Sequence, residues 1–490
     1  MDTLRFGVTL ADAAEAQHRL RADVDAHTVD STVEITAEAA AGPVPAPADI
    51  GIVVALDFAP ERMEETRRAI TAAITALPDG TSFAVLHGGG TPAIRYPGGS
   101  EVWAYADRIS RNTAGFDATK LLPAGGATAA GGAAGDYAAW LDAARAHVAR
   151  APRRIAHLLM ITDGRGHDDG RLDAAIDACV GTLTCDVIGV GGDWEPALPA
   201  RIATRLHGRA ELAEDAEPLA ARLADIVGRL RATRVPAVPV EVRLRAGVAL
   251  LSFREAAPVS RELRPDPQPA GADPCRHVFT TRLWAAGTRR YILSVGARPD
   301  GDPGAGHEAD MLEADLLLAQ VSLGPGVAAV PGQAATVRAC WSYGAAPGRV
   351  RAHGTSAVYR LRDDLAEAFN AGCTAISRGD LRAAREMLGA AAKLAYALGD
   401  RAFLDHDLNR VAEVLDAANG VVRVQADDSV DPLAVLRSRL SRGQDRSLDA
   451  GPTAPAGVPC PAPGCDRHST PAARFCVACG TRLAAAGSPG

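Results

Sequence analysis

Between Leu4 and Ile35 apolar residues fall at every second position: Leu4, Phe6, Val8 and Leu10, then Leu20, Ala22, Val24 and Ala26, then Val33 and Ile35. An extended chain points successive side chains to opposite faces, so this period predicts half-buried antiparallel strands. Gly42-Pro-Val-Pro-Ala-Pro47 reads as a hinge that closes the unit. From Ile50 the pattern changes. Residues 50–56 are an unbroken apolar run ending at Asp57, as a strand covered on both faces requires. Pro60 then opens a helix with Met63, Ile70, Ile74 and Leu77 at helical spacing. Strands are predicted at Ser82–Leu86, Ile155–Thr162 and Cys185–Val190, and helices at 136–149, 171–180, 196–207 and 216–232. Strand and helix alternating in this way predict an open, mostly parallel α/β sheet.

After residue 233 the text becomes strand-like again, with Pro and Gly punctuation: Val240–Leu244, Val248–Phe253, Tyr291–Val295, Leu316–Val321 and Thr336–Trp341. We read a β-sandwich over 233–350, completed by the strands of 1–48, with the α/β domain of 49–232 inserted between them. Residues 355–420 read as a helical segment of three helices, Leu361–Ser377, Leu381–Leu398 and Arg401–Ala418, broken at Gly379-Asp380 and Gly399-Asp400. A linker over 421–458 leads to a small cysteine-bearing module at 459–484. The fold class predicted is therefore multidomain, α/β plus β plus α.

The 490 residues are 47% hydrophobic and 23% charged, which excludes a chain disordered throughout. A net charge of −7 disfavours a broad basic surface for nucleic acid. The sequence has no apolar run of the roughly 18 residues that span a bilayer, and Met1-Asp2-Thr3-Leu4-Arg5 does not open a secretory signal. The expectation is a cytoplasmic protein with no membrane contact.

Nine cysteines are an odd number, and four of them crowd into the C-terminal module. Cys460-Pro-Ala-Pro-Gly-Cys465 and Cys476-Val-Ala-Cys479-Gly480 are two short loops whose thiolates can converge tetrahedrally on one zinc ion. Metal binding supplies the folding energy that a module this small cannot draw from a core. Cys460, Cys465, Cys476 and Cys479 are the predicted ligands of a structural zinc ribbon, with His468 an alternative ligand because the first loop is longer than usual. Four protein ligands leave no open position, which excludes catalysis at this ion. Cys179, Cys185, Cys275, Cys340 and Cys373 stand singly in apolar text and read as core residues of a reduced protein.

Asp57 and Asp163 end two apolar strands, where open α/β sheets place their ligand sites, and Gly125-Gly126-Ala127-Thr128 lies between them. Ile-Val-Val-Ala-Leu-Asp57, the Gly-Gly-Ala-Thr128 loop and Leu-Leu-Met-Ile-Thr-Asp163-Gly164 occur in the order of a von Willebrand factor type A domain, which residues 49–230 resemble. A wider likeness, carried by Cys185-Asp-Val-Ile-Gly-Val-Gly-Gly-Asp-Trp194 and Val337-Arg-Ala-Cys-Trp341, runs over 1–420 to bacterial, chiefly actinobacterial, cytoplasmic proteins of this type. The resemblance implies a Rossmann-like domain that binds protein partners, in phosphoprotein signalling or AAA+ chaperone systems. It also implies an adhesion site in which an Asp-x-Ser-x-Ser loop, a threonine and a second aspartate hold magnesium or manganese. This chain has Asp57-Phe-Ala-Pro-Glu61, so both serine hydroxyls are missing. Hard cations want oxygen ligands, and Asp57, Glu61, Thr128 and Asp163 are the candidates that remain. We expect a degenerate site.

Catalytic signatures are not found. The glycines of 124–135 lack the Gly-Lys-Ser/Thr ending of a phosphate loop, and Gly189-Val-Gly191-Gly192 lacks dinucleotide spacing. His87, His157 and His167 have no matching serine or cysteine motif. His167-Asp168-Asp169 is an acidic loop, read as solvated rather than cation-binding. The expectation is a non-enzymatic interaction and scaffold protein. Its alternatives are nucleic-acid binding through the ribbon and Arg437, Arg439, Arg442 and Arg446, and a divergent metal-dependent hydrolase built on the acidic rim.

Overall fold

The computed structural model describes residues 4–12, 16–21, 26–39, 46–57, 71–87, 92–98, 100–120, 136–162, 166–168, 170–190, 197–213, 216–269, 271–299, 316–327, 334–342, 355–424, 458–459 and 468–469. They belong to two compact units, Met1–Ala357 with Arg437–Asp445, and Val358–Leu436 with Arg446–Gly490.

The first unit begins with β1 (Leu4–Leu10), β2 (Gln17–Arg21) and β3 (His27–Ala39). Its α/β portion contains β4 (Ile50–Asp57), β5 (Ser82–His87), β6 (Ala93–Tyr96), β7 (Ala104–Tyr105), α1 (Arg108–Lys120), α2 (Tyr137–Arg150), β8 (Ile155–Thr162), α3 (Leu172–Cys179), β9 (Thr184–Val190), α4 (Ala197–Arg205), β10 (Ala210–Ala213) and α5 (Ala216–Ala232). The sheet order is β10-β9-β8-β4-β5-β6, with β7 also beside β5. Strands β10 to β5 are parallel, and β6 and β7 run against β5.

Why β4 reads as an unbroken apolar run is now visible. Ile52, Val54 and Leu56 face one core with Leu223, Ile226 and Leu230 of α5, while Val53 and Ala55 face another with Trp140 and Leu141 of α2 and Ile176 of α3. Each leucine or isoleucine so buried contributes about 1.5–3 kcal/mol.

Two further sheets, each five-stranded, are built from strands on both sides of the α/β portion: β11 (Val235–Leu244), β12 (Ala249–Ala257), β13 (Arg261–Glu262), β14 (Arg276–Trp284), β15 (Gly287–Ala297), β16 (Leu316–Leu323) and β17 (Ala335–Ser342) join the three N-terminal strands. One sheet has the order β1-β3-β15-β12-β13 and the other β14-β11-β16-β17-β2. The long β3 is antiparallel to β15, with Val33 opposite Tyr291, and β2 is parallel to β17, with Leu20 opposite Trp341. Phe6, Val33 and Tyr291 of one sheet and Val240, Phe279 and Trp341 of the other belong to a single buried cluster.

In the second unit, α6 (Thr355–Ser377) and α7 (Leu381–Leu398) meet through Phe369, Cys373, Leu388 and Ala392. The repeated Gly-Asp breaks have one mechanism. Gly379 and Gly399 take left-handed φ values of 76° and 68°, and the following aspartates cap what comes next, Asp380 accepting from Ala383 N at 3.0 Å and Asp400 from Phe403 N at 3.0 Å.

The third predicted helix is cut short. Residues 401–410 are helical, after which the chain forms a hairpin of β18 (Ala412–Asp416) and β19 (Val421–Val424). Asp416 accepts from the backbone and side-chain nitrogens of Asn419, and Gly420 has φ 67°, so Asp416-Ala-Ala-Asn-Gly420 is a turn, not a helical C-terminus. The predicted linker over 421–458 therefore starts with a strand. Strands β6, β7, β10, β13 and β14 and helix α1 are additions to the expected elements.

Candidate functional site

Adjacent β4 and β8 send the chain in opposite directions: β4 leads to β5 on one side, and β8 leads to β9 on the other. Such a switch point opens a crevice at the carboxyl ends of the strands. The register places Asp57 of β4 opposite Thr162 of β8, and Thr162 opposite Gly189 of β9. The backbone of Asp57 thus closes its strand at the crevice, level with the residue that precedes Asp163. Asp163, Glu61 and Thr128 lie outside the described residues.

Several described side chains surround this rim. Thr162 is fully buried, its hydroxyl 3.4 Å from Tyr137 Oη. The Tyr137 ring occupies the space where a Cβ on Gly166 would stand, 2.3 Å from its Cζ, so the backbone at Gly166 packs directly against the ring. Asp136 caps α2 by accepting from Ala138 N at 3.0 Å, pairs with Arg171 at 2.7 Å, and bridges to His167 through the backbone. On the other flank, His87 Nδ1 donates to Leu56 O at 2.9 Å. Burial pushes the His87 pKa down, outweighing the upward pull of that carbonyl, so the imidazole stays neutral.

Asp168, in the loop considered for a cation, is committed to the fold. Its Oδ1 accepts from Gly170 N at 2.8 Å and Leu172 N at 3.2 Å, fixing the entry to α3, and its Oδ2 takes Arg201 at 2.7 Å. Those backbone donors, with Arg201, hold its carboxyl below the usual range. Asp169 lies outside the described residues. Among the described residues no group of three or more His, Cys, Asp or Glu side chains is arranged to hold a metal ion.

A second polar cluster sits at the amino-terminal half of the sheet, on the face covered by α5. His157 Nδ1 is 2.8 Å from Thr184 Oγ1 and its Nε2 is 3.3 Å from Asp186 Oδ2. Asp186 Oδ2 also takes Arg229 of α5 at 3.2 Å, and Oδ1 accepts Arg209 N at 2.5 Å. Hydroxyl, imidazole and carboxylate in line resemble a nucleophile, base and acid, but no substrate can reach them: all three residues are at most 2% exposed. The parallel register that sets His157 opposite Thr184 creates the contact. A charged residue inside the apolar run Cys185–Val190 was the signal of it in the sequence.

Cys460, Cys465, Cys476 and Cys479 lie outside the described residues. Flanking the first pair, Val458–Pro459 is antiparallel to His468–Ser469. Of the other cysteines, Cys179, Cys185 and Cys373 are buried, with burial pushing the Cys179 thiol up to about 12, whereas Cys275 and Cys340 are half-buried.

Residues 50–212 match the von Willebrand factor type A domain family. Among solved structures, a von Willebrand factor type A protein from Catenulispora acidiphila is 25% identical, aligned over 91% of this chain and 97% of that one with a TM-score of 0.69. The ArnB paralog VWA2 from Sulfolobus acidocaldarius is 12% identical over 90% of this chain and 99% of its own, with a TM-score of 0.49. No curated protein matches the sequence. The chain therefore contains a von Willebrand factor type A domain and has a structural counterpart in a bacterial protein of that type. No helix among the described residues is long and apolar enough to cross a membrane.

Proposed function

We propose that this chain is a non-enzymatic interaction protein of the cytoplasm, in which the carboxyl rim of the von Willebrand factor type A domain docks a protein partner and the adhesion site is degenerate. The observation that carries the reading is the register of Asp57 against the end of β8 at the switch point of a domain matched to that family. Such domains typically mediate protein–protein interaction, and phosphoprotein-signalling or AAA+ chaperone components are the partners the resemblance suggests. The rim has Ala59 and Glu61 where that family has two serines. Asp57, Glu61, Thr128 and Asp163 therefore offer a poor donor set for magnesium or manganese, and recognition rests on the protein surface itself. The two five-stranded sheets act as one β-sandwich carrying the inserted domain. Cys460, Cys465, Cys476 and Cys479 close a structural zinc ribbon that adds a second contact.

Affinity purification of the full chain from its host is expected to return a reproducible protein partner, lost when the rim residues His87, His167 and Arg171 are substituted together. Retention of that partner by the triple variant, with the fold intact by circular dichroism, overturns the rim as the docking surface. Magnesium or manganese is expected to leave the melting temperature unchanged, and a rise abolished by Asp57→Ala overturns the degenerate reading. Metal analysis is expected to find one zinc per chain, absent from a Cys476→Ser variant.

A further inference from the structure

Where the α4–β10 connection and α5 of the α/β portion meet β12, β13, β14 and β15, a cavity of about 210 Å³ is lined by five arginines, Arg209, Arg229, Arg261, Arg282 and Arg289, and by one carboxylate, Glu255. The arginines differ in their commitments. Arg229 is held by Asp186 and Asp225. Arg289 stacks on Trp284 with its guanidinium carbon 4.2 Å from the ring centroid, and donates to Arg282 O at 3.0 Å and Leu283 O at 2.6 Å. Arg261 and Arg289 share Glu255, at 3.1 and 3.7 Å, so one carboxylate faces two guanidiniums.

Two donors are left over. Arg261 is 7% exposed, and its Nη1 has no hydrogen-bond partner among the described residues. Arg282, at the same cavity, is half-buried; Asp266 attracts its guanidinium, but no side-chain hydrogen bond or ion pair joins it to the described residues. A buried guanidinium with an unmet donor is costly, and an anion is what satisfies it. The backbone points the same way. His207 and Leu283, with φ of 60° and 54°, are the non-glycine residues of left-handed conformation among the described residues, and both line this cavity. Strain of this kind persists where the surrounding structure enforces it, and it clusters at ligand sites. Burial, then Arg261, Arg282 and Arg289, press the His207 pKa well below its ordinary value, leaving a neutral imidazole able to donate one hydrogen bond. Exposed Pro258 and Ala286–Thr288 form the mouth.

We propose that this cavity binds a phosphate group, held by Arg261 and Arg282 at its uncommitted edge. The volume is below the roughly 300–1,000 Å³ of pockets that enclose drug-sized molecules, and it holds a phosphate ion or the phosphate head of a phosphomonoester whose remainder leaves through the mouth. Guanidinium forks match a tetrahedral oxyanion bidentately, and a dianion offsets the surplus positive charge.

The test is calorimetric titration of the full chain with inorganic phosphate, and separately with O-phosphoserine, at fixed ionic strength and a pH of about 7.5, where both are mostly dianionic. Saturable binding at one site per chain is expected, with a Kd below ~1 mM for the better ligand. The tighter of the two identifies the source as free phosphate or a phosphorylated side chain. Arg261 is buried against Glu255 and its loss threatens the fold, so Arg282 carries the test. Arg282→Gln, with its melting temperature unchanged in the absence of ligand, is expected to weaken binding at least ~10-fold, and Arg282→Lys to weaken it less because the charge remains. Absence of saturable binding by both ligands, or equal affinity in Arg282→Gln, overturns the proposal.

Discussion

His157 Nε2 lies 3.3 Å from Asp186 Oδ2, with side chains 0% and 1% exposed, and the same carboxylate oxygen takes Arg229 from the helix that covers them. This cluster ties β8, β9 and α5 together through polar contacts buried away from the surface, where electrostatic interactions are weakly screened.

Burial alone pushes the Asp186 carboxyl up, but Arg229, His157 and the Arg209 amide override it and hold its pKa below the ordinary 3.8. A carboxyl depressed in the folded state stabilises the fold above the unfolded pKa, and the contribution is lost as pH falls below it. Asp186→Asn is therefore expected to cost about 1–3 kcal/mol at neutral pH, because Arg229 keeps Asp225 but loses its charge partner at the buried end. Denaturant unfolding across pH is the check: the gap between the variant and the parent should narrow below a pH of about 4.

His147 is 3% exposed, packs edge-on to Trp103 at 4.6 Å, and neither ring nitrogen has a hydrogen-bond partner among the described residues. Burial, then Arg150, lowers its pKa from 6.5 to about 4. Between those values the unfolded chain binds a proton that the folded chain refuses. Stability falls as pH drops through this window, by at most about 3 kcal/mol. His147→Phe keeps the aromatic contact and is expected to flatten that part of the stability curve, measured by melting temperature against pH. An unchanged slope contradicts the assignment.

The rim position of Asp57 was legible because an aspartate ending an apolar strand leaves a trace in one dimension. The described neighbours of that rim were not. Tyr137 reaches Thr162 only through the packing of α2 on β8, and Thr184 reaches His157 only through strand register. Strand β14 escaped the pattern for a related reason. Its inward position Thr281 is polar, and its hydroxyl is satisfied by donating to Val238 O and accepting from Trp284 Nε1, both at 2.8 Å. In the second unit, the alanine and leucine content of residues 401–418 suggested a helix, whereas the Asn419-Gly420 turn decides the outcome.

Asp168→Ala is expected to lower the melting temperature, since it removes the acceptor for Gly170 N and Leu172 N. Asp168→Asn keeps an acceptor and should lower it less. Neither should change the response to divalent cations. A cation effect lost in both variants would return this residue to the list of ligands.

Gly389 of α7 lies against the β18–β19 turn so closely that an added Cβ would stand 2.5 Å from Gly420 O. Backbone cannot yield as a side-chain tip does, so Gly389→Ala is expected to cost about 1–3 kcal/mol. Hydrogen exchange should rise in residues 412–424 and stay unchanged in the α/β portion. Protection kept at the hairpin would show that helix and turn can separate without loss.

The pairing of β3 with β15 has a consequence for synthesis. Val33 leaves the ribosome roughly 260 residues before its partner Tyr291, on the order of ten to fifty seconds at roughly 5–20 residues per second. In that interval the nascent N-terminus has exposed edges and no mate, while the inserted domain, whose strands join one another, can close by itself. Early strands must wait out the birth of a whole neighbour, and unshielded edges seek other chains. A growing polypeptide arranged this way gains from a chaperone that covers its first forty residues until the last strands arrive.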